Sequence, residues 1–408
     1  MAKFFTDRFP PGFFDLPRSA GETLPLDVIA AWTGSDQTRD TAHAILGPHL
    51  LRGTIVSSDS AGLTRLGRER PLIEILALVA EPKEIIHAHG RAIGGRAIGV
   101  WVADNTQMFY PAEIPPERVL AMLRTAMERI ASRCELGIGI AAHTGEFFEL
   151  SGAVYGPDAD RVEVIAEDHT AGGELVITDA LARAMPASHG FRLETRTDLD
   201  VVHRVLGGPT IDDLDASDIE YPAPYSSDFS MSLAEYSRTR RDSRAPRQAY
   251  QDLAVVLVER APEEPDVPEV AVLNNLALTA AMKRIGRSLL ANPDEAEVKS
   301  SGLIGIYTFA DCREAIDFAR RFREALSTQG VRCRIGIDVG PVLVFDLAPG
   351  SREIAGSAVN VASKLAQDTG AYGMIQVSDV VLKRASAKKE RPTRTIHVSG
   401  IDLKAYDL

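Results

Sequence analysis

The chain states one structural phrase twice. Residues 137–179 read GIGIAAHTGEFFELSGAVYGPDADRVEVIAEDHTAGGELVITD, and residues 334–378 read RIGIDVGPVLVFDLAPGSREIAGSAVNVASKLAQDTGAYGMIQVS. Each runs as an apolar strand, a turn at glycine, a second strand, a loop, a stretch of helical spacing, a Gly-bounded turn and a closing strand. The endings match as well, GELVITDALARAM against GMIQVSDVVLKRA. A period of about two hundred residues is far too long for a solenoid unit and signals two copies of one domain. A chain of 408 residues has room for both. In the second copy Val359, Ala362 and Leu365 fall on one helical face, and Asn360 and Lys364 lie four apart on a neighbouring one.

Composition narrows the function classes. The chain is 45% hydrophobic and 25% charged, as soluble globular proteins are. A net charge of −12 and a pI near 5.3 argue against a broad nucleic-acid-binding surface. Three cysteines, Cys134, Cys312 and Cys333, show no metal-ligand spacing and read as reduced thiols in a cytoplasmic protein. No apolar run approaches a membrane span. The opening MAKFFTDRFPPGFFDLP lacks a signal-peptide core and is broken by Pro10 and Pro11.

The helical phrase carries a resemblance. Strand, turn, strand and GSAVNVASKLAQ together resemble the C-terminal half of a class III nucleotidyl cyclase domain. In that family the corresponding helix bears an Asn and an Arg that contact the triphosphate. Asn360 fits the Asn position, and Lys364 stands where the Arg is expected. The resemblance implies an α+β fold with a ferredoxin-like βαββαβ core in each copy, the copies packed as a pseudo-two-fold pair. It divides the chain into an extension (1–50), a first cyclase-like domain (51–207), a linker (208–250) and a second cyclase-like domain (251–408). In the extension, Phe4, Phe5, Phe9, Phe13 and Phe14 surround a Pro-Pro-Gly. They read as an aromatic strap on the first domain, or as a dimer or partner contact. Residues 41–48 are weakly helical. The linker is acidic and then basic, and its SMSLAEYSRTR suits a short helix.

Residues Thr54 to Ser57 suit a buried strand with Asp59 at its end, before a turn of Ala-Gly-Leu-Thr. An Asp there is either the N-cap of the next helix or, as the resemblance implies, the first metal ligand. The family places a second Asp at a hairpin turn. In GRAIGGRAIGVWVADNTQMFY two registers are open. One sets Ala103-Asp104 at the turn; the other sets Ile98-Gly99-Val100 there and loses the Asp. The first puts Asp104 45 residues after Asp59, against 44 between Glu259 and Leu303 in the second copy. A turn Asp also needs no metal to explain it.

The copies divide the family's residues between them. In the first, Asp160 and Val164 occupy the Asn and Arg positions; one repels phosphate and the other donates nothing. In the second, Glu259 and Leu303 occupy the metal positions, and leucine cannot bind a cation. Lys299 lies just before a turn glycine, where adenylyl cyclases carry a base-reading Lys. Glu353 stands at the position of its partner, usually Asp.

The resemblance therefore implies a soluble nucleotidyl cyclase with one interdomain site. Its substrate would be a nucleoside triphosphate, ATP, and its products a 3′,5′-cyclic nucleotide and pyrophosphate. Asp59 and Asp104 would hold two Mg²⁺ or Mn²⁺ ions, which suit hard carboxylate oxygens. Lys299 and Glu353 would bind substrate, and Asn360 and Lys364 would act in catalysis. The ions would activate the ribose 3′-hydroxyl and neutralise charge on the leaving pyrophosphate. The same residues also suit a cyclase-like pseudoenzyme that binds a nucleotide or partner and signals without chemistry.

Overall fold

The computed structural model describes residues 5, 8–15, 24–60, 66, 70–99, 101, 106–196, 202–212, 214–216, 219, 221, 225–239, 250–292, 295–347, 351–386, 394–398 and 401–408. The chain divides into two compact units. One is Leu46–Ser243; the other joins Met1–Ile45 to Arg244–Leu408.

In the unit Leu46–Ser243, strand β1 (Leu50–Ser60) lies between β3 (Thr106–Pro111) and β4 (Ile138–Leu150), antiparallel to both. The sheet extends through β2 (Arg96–Ala97) on one side and through β6 (Leu175–Thr178), β8 (Val202–Gly207) and β7 (Arg192–Arg196) on the other. A short β5 (Ala153–Tyr155) folds back on β4. Alternation along the strands feeds two cores. Val56, Met108, Ile140 and Ile177 pack with helices α3 (Leu72–Ala92) and α4 (Pro116–Arg133). Their neighbours Ile55, Phe109, Ala141 and Val176 pack with α5 (Pro157–His169) on the other face. Burial on both faces explains the apolar character of Thr54 to Val56. A short α6 (Asp179–Ala184) follows β6, its N-terminus capped by the Thr178 hydroxyl. Helix α7 (Ser227–Thr239), the one expected inside the linker, packs on α3.

The second unit repeats the plan. Strand β9 (Tyr250–Arg260) lies between β11 (Ile304–Phe309) and β12 (Cys333–Leu347). The sheet order is β10 (Ala296–Ser301), β11, β9, β12, β14 (Ile375–Ser378), β16 (Ile401–Asp407) and β15 (Arg394–Val398), with β13 (Ser351–Ala355) on β12. Helices α8 (Pro268–Leu289) and α9 (Cys312–Thr328) pair with each other, and α10 (Ser357–Gln367) packs on β12 and β9. Gly336 permits that approach, since a Cβ there would lie 2.0 Å from the Ala362 carbonyl oxygen. The last helix is α11 (Asp379–Arg384).

The aromatic strap lies elsewhere than expected. It packs in the unit that holds the second copy, not on the first. Helices α1 (Leu26–Thr33) and α2 (Arg39–Leu46) precede β1, and α1 docks on α8. Trp32 is fully buried, and its indole N–H donates to Asn274 Oδ1 at 3.0 Å. The Arg284 guanidinium lies 4.9 Å from the Phe13 ring centre and donates to the Gly12 carbonyl at 3.0 Å. Phe13 in turn meets Phe9 at 4.7 Å between ring centres. The strap thus meets α8 through Arg284, a residue more than 250 positions away in sequence. Phe4 lies outside the described residues.

Candidate functional site

Strand pairing fixes which positions of the two copies correspond. Ile140 pairs with Leu175 in the first sheet, and Ile335 with Ile375 in the second. Gly139 and Arg334, one residue earlier, are therefore equivalent. Asp59 sits opposite Gly139, and Glu259 sits opposite Arg334. Asp59 and Glu259 thus occupy one structural position, the carboxylate end of the strand that follows the start of each copy. Asp59 is partly exposed there.

The first hairpin closes around the segment expected to hold the second carboxylate. The Ile98 N–H donates to the Gln107 carbonyl at 2.8 Å, and Ser58 pairs with Thr106. Asp104, and with it the choice between the two registers, lies outside the described residues. The Trp101 indole N–H reaches both limbs, the Ile98 carbonyl at 3.0 Å and the Gln107 carbonyl at 3.1 Å. From α3 the buried Lys83 donates to the Trp101 carbonyl at 3.2 Å. The Asp59 carboxylate is a hard oxygen donor of the kind divalent cations take. Among the described residues no group of three or more His, Cys, Asp or Glu side chains is close enough to hold a metal.

The equivalent place in the second unit is closed. Glu259 is 7% exposed and accepts a forked pair of hydrogen bonds from Arg334, Nε and Nη2 each at 3.0 Å. Leu303 lies in the β10–β11 turn beside Gly302, whose φ is +56°.

The second unit brings Lys299 and Glu353 together. Lys299 is exposed on β10, and Glu353 lies on β13. Burial raises the Glu353 carboxyl above the usual carboxylate range, against the pull of the Lys299 charge and the Ile354 N–H. On α10, which begins after Gly356 at φ +154°, Asn360 is exposed and Lys364 is half-buried. The Lys364 ammonium is 2.9 Å from Asp368 one turn on, and both side chains are about half exposed. Lys299 and Glu353, and Asn360 and Lys364, are thus positioned by one unit, on β10, β13 and α10.

Helix α5, the counterpart of α10, starts after Gly156 at φ +121° but differs in charge. Its first turn holds Asp158 and Asp160, whereas that of α10 holds no acid. Asp158 accepts the Glu146 N–H at 3.1 Å and lies 3.2 Å from Nε2 of the buried His143. Burial pushes its carboxyl up, but His143 and the Glu146 N–H outweigh this and hold it below the usual range. Burial raises Asp160. Val164 is 48% exposed at the Lys364 position.

Neither the Glu259–Arg334 pair nor the His143–Asp158 pair is visible in the sequence before the register is known. Both join residues brought side by side by strand or helix packing. An arginine opening RIGIDVG where the first copy has glycine was the available signal for the first.

Comparison with known proteins supports the fold. No family model and no curated protein matches the chain. Among solved structures, a class III adenylyl cyclase-like ATP-binding protein from Pseudomonas aeruginosa aligns over 83% of this chain and 85% of its own, with a TM-score of 0.55 and 12% identity. The adenylyl cyclase CyaB from P. aeruginosa aligns over 41% of this chain and 99% of its own, at 14% identity and a TM-score of 0.34. An adenylate/guanylate cyclase/hydrolase from Silicibacter pomeroyi aligns over 38% and 95%, at 22% identity and a TM-score of 0.31. Repeat, strand order and the alignment across both copies lead to one statement: the chain carries the class III cyclase fold twice in tandem.

Proposed function

We propose that the chain binds one nucleoside triphosphate, ATP, and converts it to a 3′,5′-cyclic nucleotide and pyrophosphate, using one set of groups drawn from both repeats. The observation that carries this reading is the complementary loss. The second unit's strand-end acid is consumed by Arg334, while Lys299, Glu353, Asn360 and Lys364 are gathered in that unit. Asp59 and Asp104 would hold Mg²⁺ or Mn²⁺, which when bound lowers the pKa of the 3′-hydroxyl and neutralises phosphate charge. Lys299 and Glu353 recognise the base edge as a donor and an acceptor. Asn360 orients the ribose, and Lys364 leaves its weak surface pair with Asp368 to meet phosphate. The 3′-oxygen loses its proton, bonds to the α-phosphorus and expels pyrophosphate.

A second reading is a nucleotide-binding module without turnover. Lys in place of Arg at position 364 and its pairing with Asp368 favour it, and the solved neighbour that aligns over 83% of this chain is described as an ATP-binding protein. One experiment separates the two. The protein is incubated with each of the four ribonucleoside triphosphates and Mn²⁺, and cyclic nucleotide and pyrophosphate are measured beside binding. Product that disappears in Asp59→Ala and Asp104→Ala supports the cyclase. Binding lost in Lys299→Ala, with no product from any triphosphate, supports the module. No binding of any triphosphate rejects both.

A further inference from the structure

Each unit holds a segment that precedes the other copy in the chain. Residues up to Ile45 precede β1 of the first copy, yet they belong to the unit of the second. Residues 208–239 precede β9 of the second copy, yet they belong to the unit of the first. The chain therefore passes from one unit to the other twice, after Ile45 and after Ser243. In each unit the added segment lays a helix on the long helix that follows the first strand: α1 docks on α8, and α7 on α3.

The two docks differ in chemistry. Helix α1 spans eight residues, with Ile29 and Trp32 buried. An isolated helix of that length does not persist in water, so its order depends on the surface it meets. The Trp32 indole N–H reaches Asn274 Oδ1 at 3.0 Å, and both side chains are buried. Around this contact Arg8 lies 3.9 Å from Glu263, and His43 lies 3.5 Å from Glu269. In the first unit Tyr221 meets His87 of α3 edge-on, 5.6 Å between ring centres, and the Ile211 N–H donates to Thr125 Oγ1 of α4 at 2.9 Å. Aligned on their Gly-Arg pairs, Gly90–Arg91 and Gly286–Arg287, the long helices place Leu78 where α8 has Asn274. Leucine accepts no hydrogen bond, so an indole docked there would leave its N–H buried and unpaired.

We propose that α8 is a docking surface for the segment that precedes the first copy, with Asn274 as the acceptor that selects Trp32, and that this docking fastens the half of the chain holding the first copy to the half holding the second. The inference does not depend on the nucleotide reading. A fully buried tryptophan with its N–H satisfied is the type of anchor that dominates an interface, and the covalent tether keeps it at high effective concentration. A cut between Thr239 and Tyr250 severs one crossing and leaves the other, because the segment that ends at Ile45 stays seated on α8.

The test uses the full-length protein with the recognition sequence of a site-specific protease in place of residues 240–247. After cleavage, the affinity of the two halves is read from their dissociation on dilution, by native mass spectrometry. The nicked parent stays together. Trp32→Ala weakens the association by roughly a hundredfold or more. Asn274→Leu orphans the indole N–H, Trp32→Phe orphans the amide oxygen, and each weakens it by roughly tenfold. The two combined bind more tightly than either alone, because no buried polar atom is then left unpaired. Equal affinities for nicked parent and nicked Trp32→Ala overturn the proposal. So do losses for Asn274→Leu and Trp32→Phe that simply add, because Trp32 and Asn274 would then not recognise each other. A loss as large in Tyr221→Ala, whose contacts lie within one half, also overturns it by marking general destabilisation. If Trp32→Ala does not fold, the two conservative variants and their combination decide on the same criterion.

Discussion

Replacing Asp338 with Asn should stabilise the second unit, and only above mildly acidic pH. Asp338 lies on β12 at 8% exposure, in the strand that leads towards α10. Burial raises its carboxyl from 3.8 to about 6, although the Ser378 hydroxyl, the Val339 N–H and the Arg384 charge all pull the other way. A folded-state pKa above the unfolded one means that the folded state favours the proton. The stability from this group is fully present below about pH 4 and is lost as pH rises through about 6. The difference between 3.8 and about 6 corresponds to about 3 kcal/mol at neutral pH and above. Asn is uncharged at every pH and still offers an oxygen to Ser378. Asp338→Asn should match the parent near pH 4 and exceed it at pH 8 by about 3 kcal/mol, roughly 6–12 °C in Tm for a unit of this size. Calorimetry of both proteins across that range measures the gap. A gap that does not widen with pH refutes the assignment of the burial penalty to Asp338.

Trp32→Ala should cost about 3–5 kcal/mol by emptying a buried site and should lower the unfolding transition of the unit containing α8, leaving that of Leu46–Ser243 in place; domain-resolved hydrogen exchange checks it. Lys364→Arg should raise turnover of a cyclase, and Lys364→Ala should lower it by roughly a hundredfold with little change in nucleotide affinity; equal rates for parent and Lys364→Ala remove this residue from the mechanism. Limited proteolysis should cleave first within residues 240–247, where basic residues cluster between α7 and β9; an earlier cut within β1 or β9 would contradict the division into two units.

The repeat was legible because its information is local. Turn glycines, alternating apolar residues and the NVASKL spacing each specify a short element, and the order of elements specifies the sheet. Equivalence of Asp59 with Glu259, counted along the chain, agrees with the strand register. Less legible were features joining distant segments. The Phe-rich extension shows an apolar face and nothing about which surface it covers; its docking on α8 depends on Asn274 and Arg284. Glu259 read as a lost ligand, but its actual partner became visible only across β12. Nothing in the sequence marks Lys83, whose buried ammonium donates to the Trp101 carbonyl.

Charge at the two helix N-termini gives the strongest reason to expect one nucleotide rather than two. A helix start offers free N–H groups and a partial positive charge, and phosphate is attracted to both. At α5 the chain supplies its own anion: Asp158 takes up the Glu146 N–H and lies beside His143, and Asp160 stands in the same first turn. A triphosphate approaching there meets two carboxylates and the apolar Val164. At α10 the same positions are Ala358 and Asn360, followed by Lys364, so neither steric bulk nor negative charge opposes phosphate. The acids of α5 and the arginines at the end of β9 (Arg260) and on β12 (Arg334) act in opposite senses but with one result. Each places a fixed charge of the ligand's own sign, or of the ion's own sign, at the position the proposed site would need. Two equivalent sites would require both copies to remain open at both ends, and neither does.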